Sequence, residues 1–205
     1  MTQSLAKSIT FDDFIEWYPE KSRVRYELHD GIIIEMTPPS GDHELIVAFL
    51  AEKITLQYAN LKLPYGIPKT AFIKPQNRNS AYNPDILLLN FDNLKNEPLW
   101  KKESTLTQSA SIPLVVEIVS TNWHDDYHDK FAVYEKMGIL EYWIVDYAAL
   151  GGRKFIGNPK LPTFFVCELV DGEYQMKEFR GNSLIESPLF PQLNITVQQV
   201  FEVIL

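Results

Sequence analysis

Two apolar runs, PDILLLN at residues 84–90 and PLVVEIVS at residues 113–120, are followed by HDDYHDKFAVYEKMG at residues 124–138. Both runs are short, aliphatic and bounded by proline or polar residues, as buried strands are. Each carries an acid, with Asp85 heading the first and Glu117 inside the second. Val115 and Val119 share the face of Glu117, while Leu114, Val116 and Ile118 take the other, so both faces of that strand read as buried. Taking a carboxylate out of water is costly unless a counter-charge or a metal offsets it.

The third stretch predicts a helix from about Asp125 to Met137, with Gly138 as its C′ residue. At about 100° per residue from Tyr127, Phe131 falls near ~40°, Tyr134 near ~340°, Met137 near ~280° and Lys130 near ~300°. Lys130 therefore faces the sheet, while His128, Ala132 and Glu135 point outward. Two buried acids beside a cation are what a divalent-metal site for phosphoryl chemistry requires. Structural readings stand beside that one. Lys130 has Asp126 four residues earlier for a local ion pair, Glu117 and Lys130 would make a purely structural pair, and Asp85 suits a turn that opens a strand.

Outward from this centre, Thr10 predicts an N-cap with Asp13 three residues on, opening a short helix that Pro19 ends. Asp30-Gly31 between two β-prone runs within residues 24–36 predicts a hairpin. After Pro38-Pro39-Ser40-Gly41 a helix is expected from about His43 to Leu61. Strands are expected at about Thr70–Lys74, Asp85–Asn90, Leu114–Ser120 and Glu141–Asp146, with residues 91–112 as a polar surface excursion. Asp171-Gly172 predicts a second hairpin, and Thr196 caps a final short helix. The fold class is α/β (α+β), with a mixed central sheet extended at its edges by the N- and C-terminal hairpins. One domain is expected over residues 1–205: a core at about 41–147, an N-terminal helix and hairpin at 10–36, and a C-terminal hairpin and helix at 153–205.

Composition narrows the class. The chain is 45% hydrophobic and 22% charged, globular values that argue against disorder. It has no apolar run long enough for a membrane span and no secretory segment in its first seven residues, so a cytoplasmic setting is expected. Its single cysteine, Cys167, rules out an intrachain disulfide and a cysteine-rich zinc site. The net charge of −8 gives no support for tight nucleic-acid binding.

Pro84-Asp85, followed by Glu117-Ile118-Val119 within an apolar strand, resembles the PD-(D/E)XK nuclease signature, and the element order is similar to that fold's αβββαβ core. More narrowly, Tyr26-Glu27 with Asp30-Gly31, Glu117, Asp126 and Lys130, Tyr134, and Glu141-Tyr142-Trp143 resemble the Uma2 family from about Phe11 to the C-terminus. That bacterial group was formerly classed as a domain of unknown function. The resemblance implies a restriction-endonuclease-like fold and an endonuclease. Val119 stands where the general nuclease pattern has its lysine, and the resemblance implies that Lys130 supplies that cation.

On this basis Asp85 and Glu117 are expected to hold Mg2+ or Mn2+, with Lys130 orienting water or neutralising the developing charge. Glu27 is the natural further acid, against the alternative of an exposed hairpin glutamate. His43 matches the family pattern and either contacts substrate or caps its helix. Tyr142 and Trp143 read as core, and Asp146 as a turn residue. Nucleic acid, DNA by default, is the expected partner, with a possible homodimer and no membrane. Two other classes remain open: a non-catalytic nucleic-acid or protein-binding module, and a hydrolase of small phosphate esters.

Overall fold

The computed structural model describes residues 8–19 and 24–204; the first seven residues read above lie outside these. Thr10 caps α1 (Phe11–Trp17) in a reciprocal capping box with Asp13, as expected. Strands β1 (Tyr26–His29) and β2 (Ile32–Glu35) turn through Asp30 and Gly31, whose φ values of 47° and 84° are what a tight Asp-Gly hairpin demands. Ser40 opens α2 (Gly41–Asn60), its hydroxyl accepting the His43 N–H at 3.2 Å. Strands β3 (Tyr65–Gly66), β4 (Phe72–Ile73) and β5 (Ile86–Asn90) follow. Next come α3 (Trp100–Glu103), β6 (Thr105–Leu106), β7 (Leu114–Ile118), α4 (Lys130–Met137) and β8 (Glu141–Asp146). The chain ends with α5 (Arg153–Ile156), β9 (Thr163–Val170), β10 (Glu173–Phe179) and α6 (Val197–Phe201).

Six strands form the central sheet in the order β10-β9-β8-β7-β5-β3. Strands β7 and β8 are parallel and the other neighbours antiparallel, so the sheet is mixed, as expected. Within the central layer α2-β3-β5-β7-α4-β8 runs helix–strand–strand–strand–helix–strand, but its first strand is β3 and not the expected run at Thr70–Lys74.

Three details differ from the sequence expectation. The run at Thr70–Lys74 yields only the two-residue β4, which pairs in parallel with β6 in a separate sheet. The sheet edge is instead β3, too short to carry a periodic signal. The C-terminal hairpin extends the sheet, but the N-terminal one forms its own two-stranded sheet. It is stitched to the body by reciprocal Leu28 and Ala81 backbone hydrogen bonds of 2.9 and 2.8 Å. Residues 91–112 also contribute to the interior, because Leu106 and Ile112 are buried beneath α4.

Side-chain alternation splits the core into two layers. Leu114, Val116, Ile118, Trp143 and Val145 pack with Ile46, Leu50 and Ile54 of α2 and with Val197 and Val200 of α6. Val115, Val119, Tyr142 and Ile144 pack on the opposite face with Val133 and Tyr134 of α4. Tyr142 and Trp143 are thus both core. Among the described residues, no helix is long and apolar enough to cross a membrane.

Gly138 ends α4 at φ +83° with space for a Cβ, whose nearest contact would be Ser109 Oγ at 3.5 Å. Gly138→Ala is therefore expected to cost about 1 kcal/mol of backbone strain. It should lower the urea midpoint with an unchanged m-value.

Candidate active site

The sheet register brings the two acids together. Strands β5 and β7 are antiparallel with Ile86 opposite Val116 and Leu87 opposite Val115. One further step along that ladder sets Asp85 opposite Glu117. Both side chains fall on the α4 face, since Leu87 and Val115 alternate with them there. The Ile118 N–H donates to Asp85 Oδ2 at 2.9 Å, fixing the carboxylate at the strand opening.

Lys130 meets them from the helix. A π turn at Asp125–Asp129 precedes α4, and the Lys130 N–H donates to the Asp125 carbonyl five residues back. Lys130, Val133 and Tyr134 of α4 are buried together with Tyr127 of the turn. The expected inner face therefore holds at Tyr127, Lys130 and Tyr134, while Phe131 and Met137 are only half-buried. The Lys130 ammonium lies 3.0 Å from Glu117 Oε1, 3.5 Å from Glu27 Oε1 and 3.6 Å from Asp126 Oδ1. The local Asp126 pair and the long-range Glu117 pair therefore coexist.

Glu27 is fully buried rather than an exposed hairpin residue. Its Oε1 accepts the Asn83 N–H at 2.8 Å, and its Oε2 lies 2.8 Å from His29 Nε2. His43 neither caps α2 with its side chain nor opens onto solvent. It is buried, with Nε2 3.2 Å from Asp85 Oδ2. Asp146 is buried at the end of β8 and accepts the Leu150 and Gly151 N–H groups at 2.8 Å, so it organises a turn away from the acids. His124, Asp125 and Asp129 bring ligand atoms within 4.8 Å of one another on the outer side of the π turn, outside this cavity.

Four carboxylates, Glu27, Asp85, Glu117 and Asp126, surround one buried ammonium, and their protonation differs accordingly. Burial pushes the Glu117 carboxyl up to about 7, with Lys130 opposing it and the Asp85 and Glu27 charges adding to it. Burial likewise drives Asp126 well above the carboxylate range. For Asp85, burial is outweighed by the His43 hydrogen bond and charge, and its pKa falls below the usual value. The same pairing raises His43 despite its burial. For Glu27, Lys130, His29 and the Asn83 N–H outweigh burial and lower the pKa. Burial depresses Lys130, but the surrounding acids overcome it and hold the ammonium charged.

Asp85, Glu117, Asp126 and Lys130 line a cavity of about 260 Å³ that opens past Arg25, Ser40, Ser120 and Asn122. Glu27 lies behind Lys130 and outside the lining. Among the described residues, Asp85 Oδ1 and Glu117 Oε2 are carboxylate oxygens left with weak or no protein contacts. Asp85 Oδ1 has only Arg25, at 3.5 Å, and both Glu117 contacts, Lys130 and the Tyr134 hydroxyl at 3.1 Å, fall on Oε1. An all-oxygen donor set carrying surplus negative charge suits a hard divalent cation. The residues present therefore fit such an ion.

Sequence reasoning missed Arg25 and Asn83, which reach the cavity only through folding of the hairpin and the strand approach to Asp85. It gave Asp126 only a local partner, although the helical spacing to Lys130 was visible.

No curated protein matches this chain. Among solved structures it is similar to the crystal structure of a "putative nuclease belonging to DUF820" from Anabaena variabilis ATCC 29413. That likeness has a TM-score of 0.72 at 18% identity, covering 96% of this chain and 99% of the other, and it speaks for the fold. The Uma2 family model, described as "Putative restriction endonuclease", matches residues 11–198, a span that holds every acid of the cavity and Lys130. With that match over nearly the whole length, the chain belongs to the Uma2 family.

Proposed function

We propose that the protein is a divalent-metal-dependent endonuclease that hydrolyses phosphodiester bonds, with DNA as its substrate. The observation that carries this reading is the meeting of Asp85 and Glu117 across β5 and β7 with Lys130 3.0 Å from Glu117. Family membership supports the same reaction class.

Asp85 and Glu117 would hold Mg2+ or Mn2+ through the oxygens that face the cavity. Such a cation, when bound, makes water acidic enough to attack at neutral pH and screens charge on the phosphate. His43 and the Ile118 N–H hold Asp85 ionised and oriented. Glu27 and Asp126 keep Lys130 charged and aimed at Glu117. The ammonium then stands where it stabilises negative charge developing on the phosphate oxygens. The depth of the cavity keeps bulk water from screening these interactions. His43 acts here through Asp85, and a cut through both strands calls for two such sites, hence a homodimer.

The test is nicking and linearisation of supercoiled plasmid with Mn2+ or Mg2+. Wild type should cleave, EDTA should stop it, and Asp85→Ala should slow it by about 10²-fold or more. Cleavage that survives Asp85→Ala places the chemistry elsewhere. Hydrolysis of small phosphate esters with intact plasmid would move the assignment to a phosphoesterase. Metal uptake with no hydrolysis of either would favour a binding module.

A further inference from the structure

We infer that Arg25 and Asn83 form the subsite that receives a backbone phosphate of the nucleic acid at the cavity mouth; this rests on the endonuclease reading. A polyanion approaching four carboxylates meets the cavity mouth before it reaches the buried Lys130, and it needs a cation there. Two basic side chains of the Lys/Arg type line the cavity, Lys130 and Arg25. The three donors of Lys130 face three carboxylates within 3.6 Å, deep in the protein. Arg25 is different. Its side chain is 37% exposed, and its one ion-pair contact among the described residues is a long 3.5 Å approach to Asp85 Oδ1. Asp85 is already served at Oδ2 by Ile118 and His43. Most of the five guanidinium donors therefore remain for a ligand, in a fork geometry suited to phosphate.

Asn83 supplies the independent observation. It is 92% buried and lines the same cavity, and its Nδ2 has no hydrogen-bond partner. Buried donors without partners are rare because each costs the desolvation of the group. The backbone of Asn83 is engaged, its N–H on Glu27 Oε1, so the side chain is placed by the same contact that places an acid of the site. A phosphate oxygen entering past Arg25 would satisfy this amide and the guanidinium together. Arg25 also stands two residues before Glu27, so side-chain alternation sets both toward the site.

The test is binding of labelled duplex and single-stranded oligonucleotides by the Glu117→Gln protein over a series of salt concentrations, so that cleavage does not intervene. Adding Arg25→Ala should weaken binding about tenfold for every sequence and reduce the salt slope by about one phosphate contact. Arg25→Lys should restore the slope but only part of the affinity, since it keeps charge and loses the fork. Asn83→Ala should weaken binding a few-fold with the slope unchanged, because a neutral donor releases no counterion. Affinity and slope unchanged in Arg25→Ala, with cleavage reduced in the otherwise wild-type protein, would overturn the subsite and make Arg25 a positioning residue for Asp85. A parent protein that binds no oligonucleotide, together with a wild type that cleaves none, would overturn the endonuclease reading and the subsite with it.

Discussion

Replacing Lys130 by alanine is expected to abolish plasmid cleavage and to destabilise the fold by about 3–5 kcal/mol. Both effects have one origin. The ammonium is almost wholly buried, within 3.6 Å of Glu27, Glu117 and Asp126. Deleting it leaves these acids facing one another with no nearby cation of comparable burial, and some must take up protons to remain inside. For a chain of this size that loss corresponds to roughly 10 °C in melting temperature. The chemical loss should be on the order of 10²–10³-fold, the usual consequence of removing one preorganised charge stabiliser. Lys130→Met fills the space of the side chain but removes the same charge, so it should lose stability as well as activity. It should be as inactive as the alanine variant. A Lys130→Ala protein with wild-type stability and activity would mean that the ammonium is an incidental counter-ion.

Glu117→Gln is expected to make the metal-free protein more stable above neutral pH while removing its activity. The folded carboxyl is pushed up to about 7 from the usual 4.5. Between those two values the folded state retains a proton that the unfolded chain has released, so stability falls as pH rises through that window. The full penalty is about 3 kcal/mol, present once pH exceeds the folded pKa. Glutamine mimics the protonated acid and carries no such penalty. At pH 8 in EDTA the variant should therefore gain on the order of 2 kcal/mol over wild type, some Lys130 attraction being lost. At pH 4.5 the two should nearly coincide. Glu27 and Asp85 shift in the opposite direction and are common to both proteins. Asp126 shifts in the same direction and loses the Glu117 charge that helps raise it, which adds to the variant's gain. Urea denaturation at the two pH values checks the sign. A variant less stable than wild type at pH 8 would show that Glu117 is ionised and satisfied by its protein neighbours alone.

The pair at the centre of the site is legible in the sequence because its signal is local and contradictory. A charged side chain on a buried face breaks a rule that burial energetics enforce, and Glu117 in its strand and Lys130 on its helix both break it. Glu27 is harder to read. In the sequence it alternates like any hairpin residue, and its burial depends on β1 docking against residues 79–83, about fifty positions away. Arg25 and Asn83 are invisible for the same reason. The inner face of α4 was legible at Tyr127, Lys130 and Tyr134, but a uniform step of about 100° cannot anticipate the π turn at Asp125–Asp129. Among the strands, short apolar runs placed β5, β7 and β8. The apolar run at Thr70–Lys74 instead found a partner in β6, while β3 closed the sheet with only two residues.

The most direct single test is the conversion of supercoiled plasmid by Glu117→Gln in Mn2+, run beside wild type at pH 8, where the variant is expected to be well folded even without metal. The account predicts nicked and linear product from wild type and none from the variant over the same period. Cleavage by Glu117→Gln at the wild-type rate would contradict it, because a well-folded protein would then be cutting DNA without the carboxylate on which the proposed metal site is built.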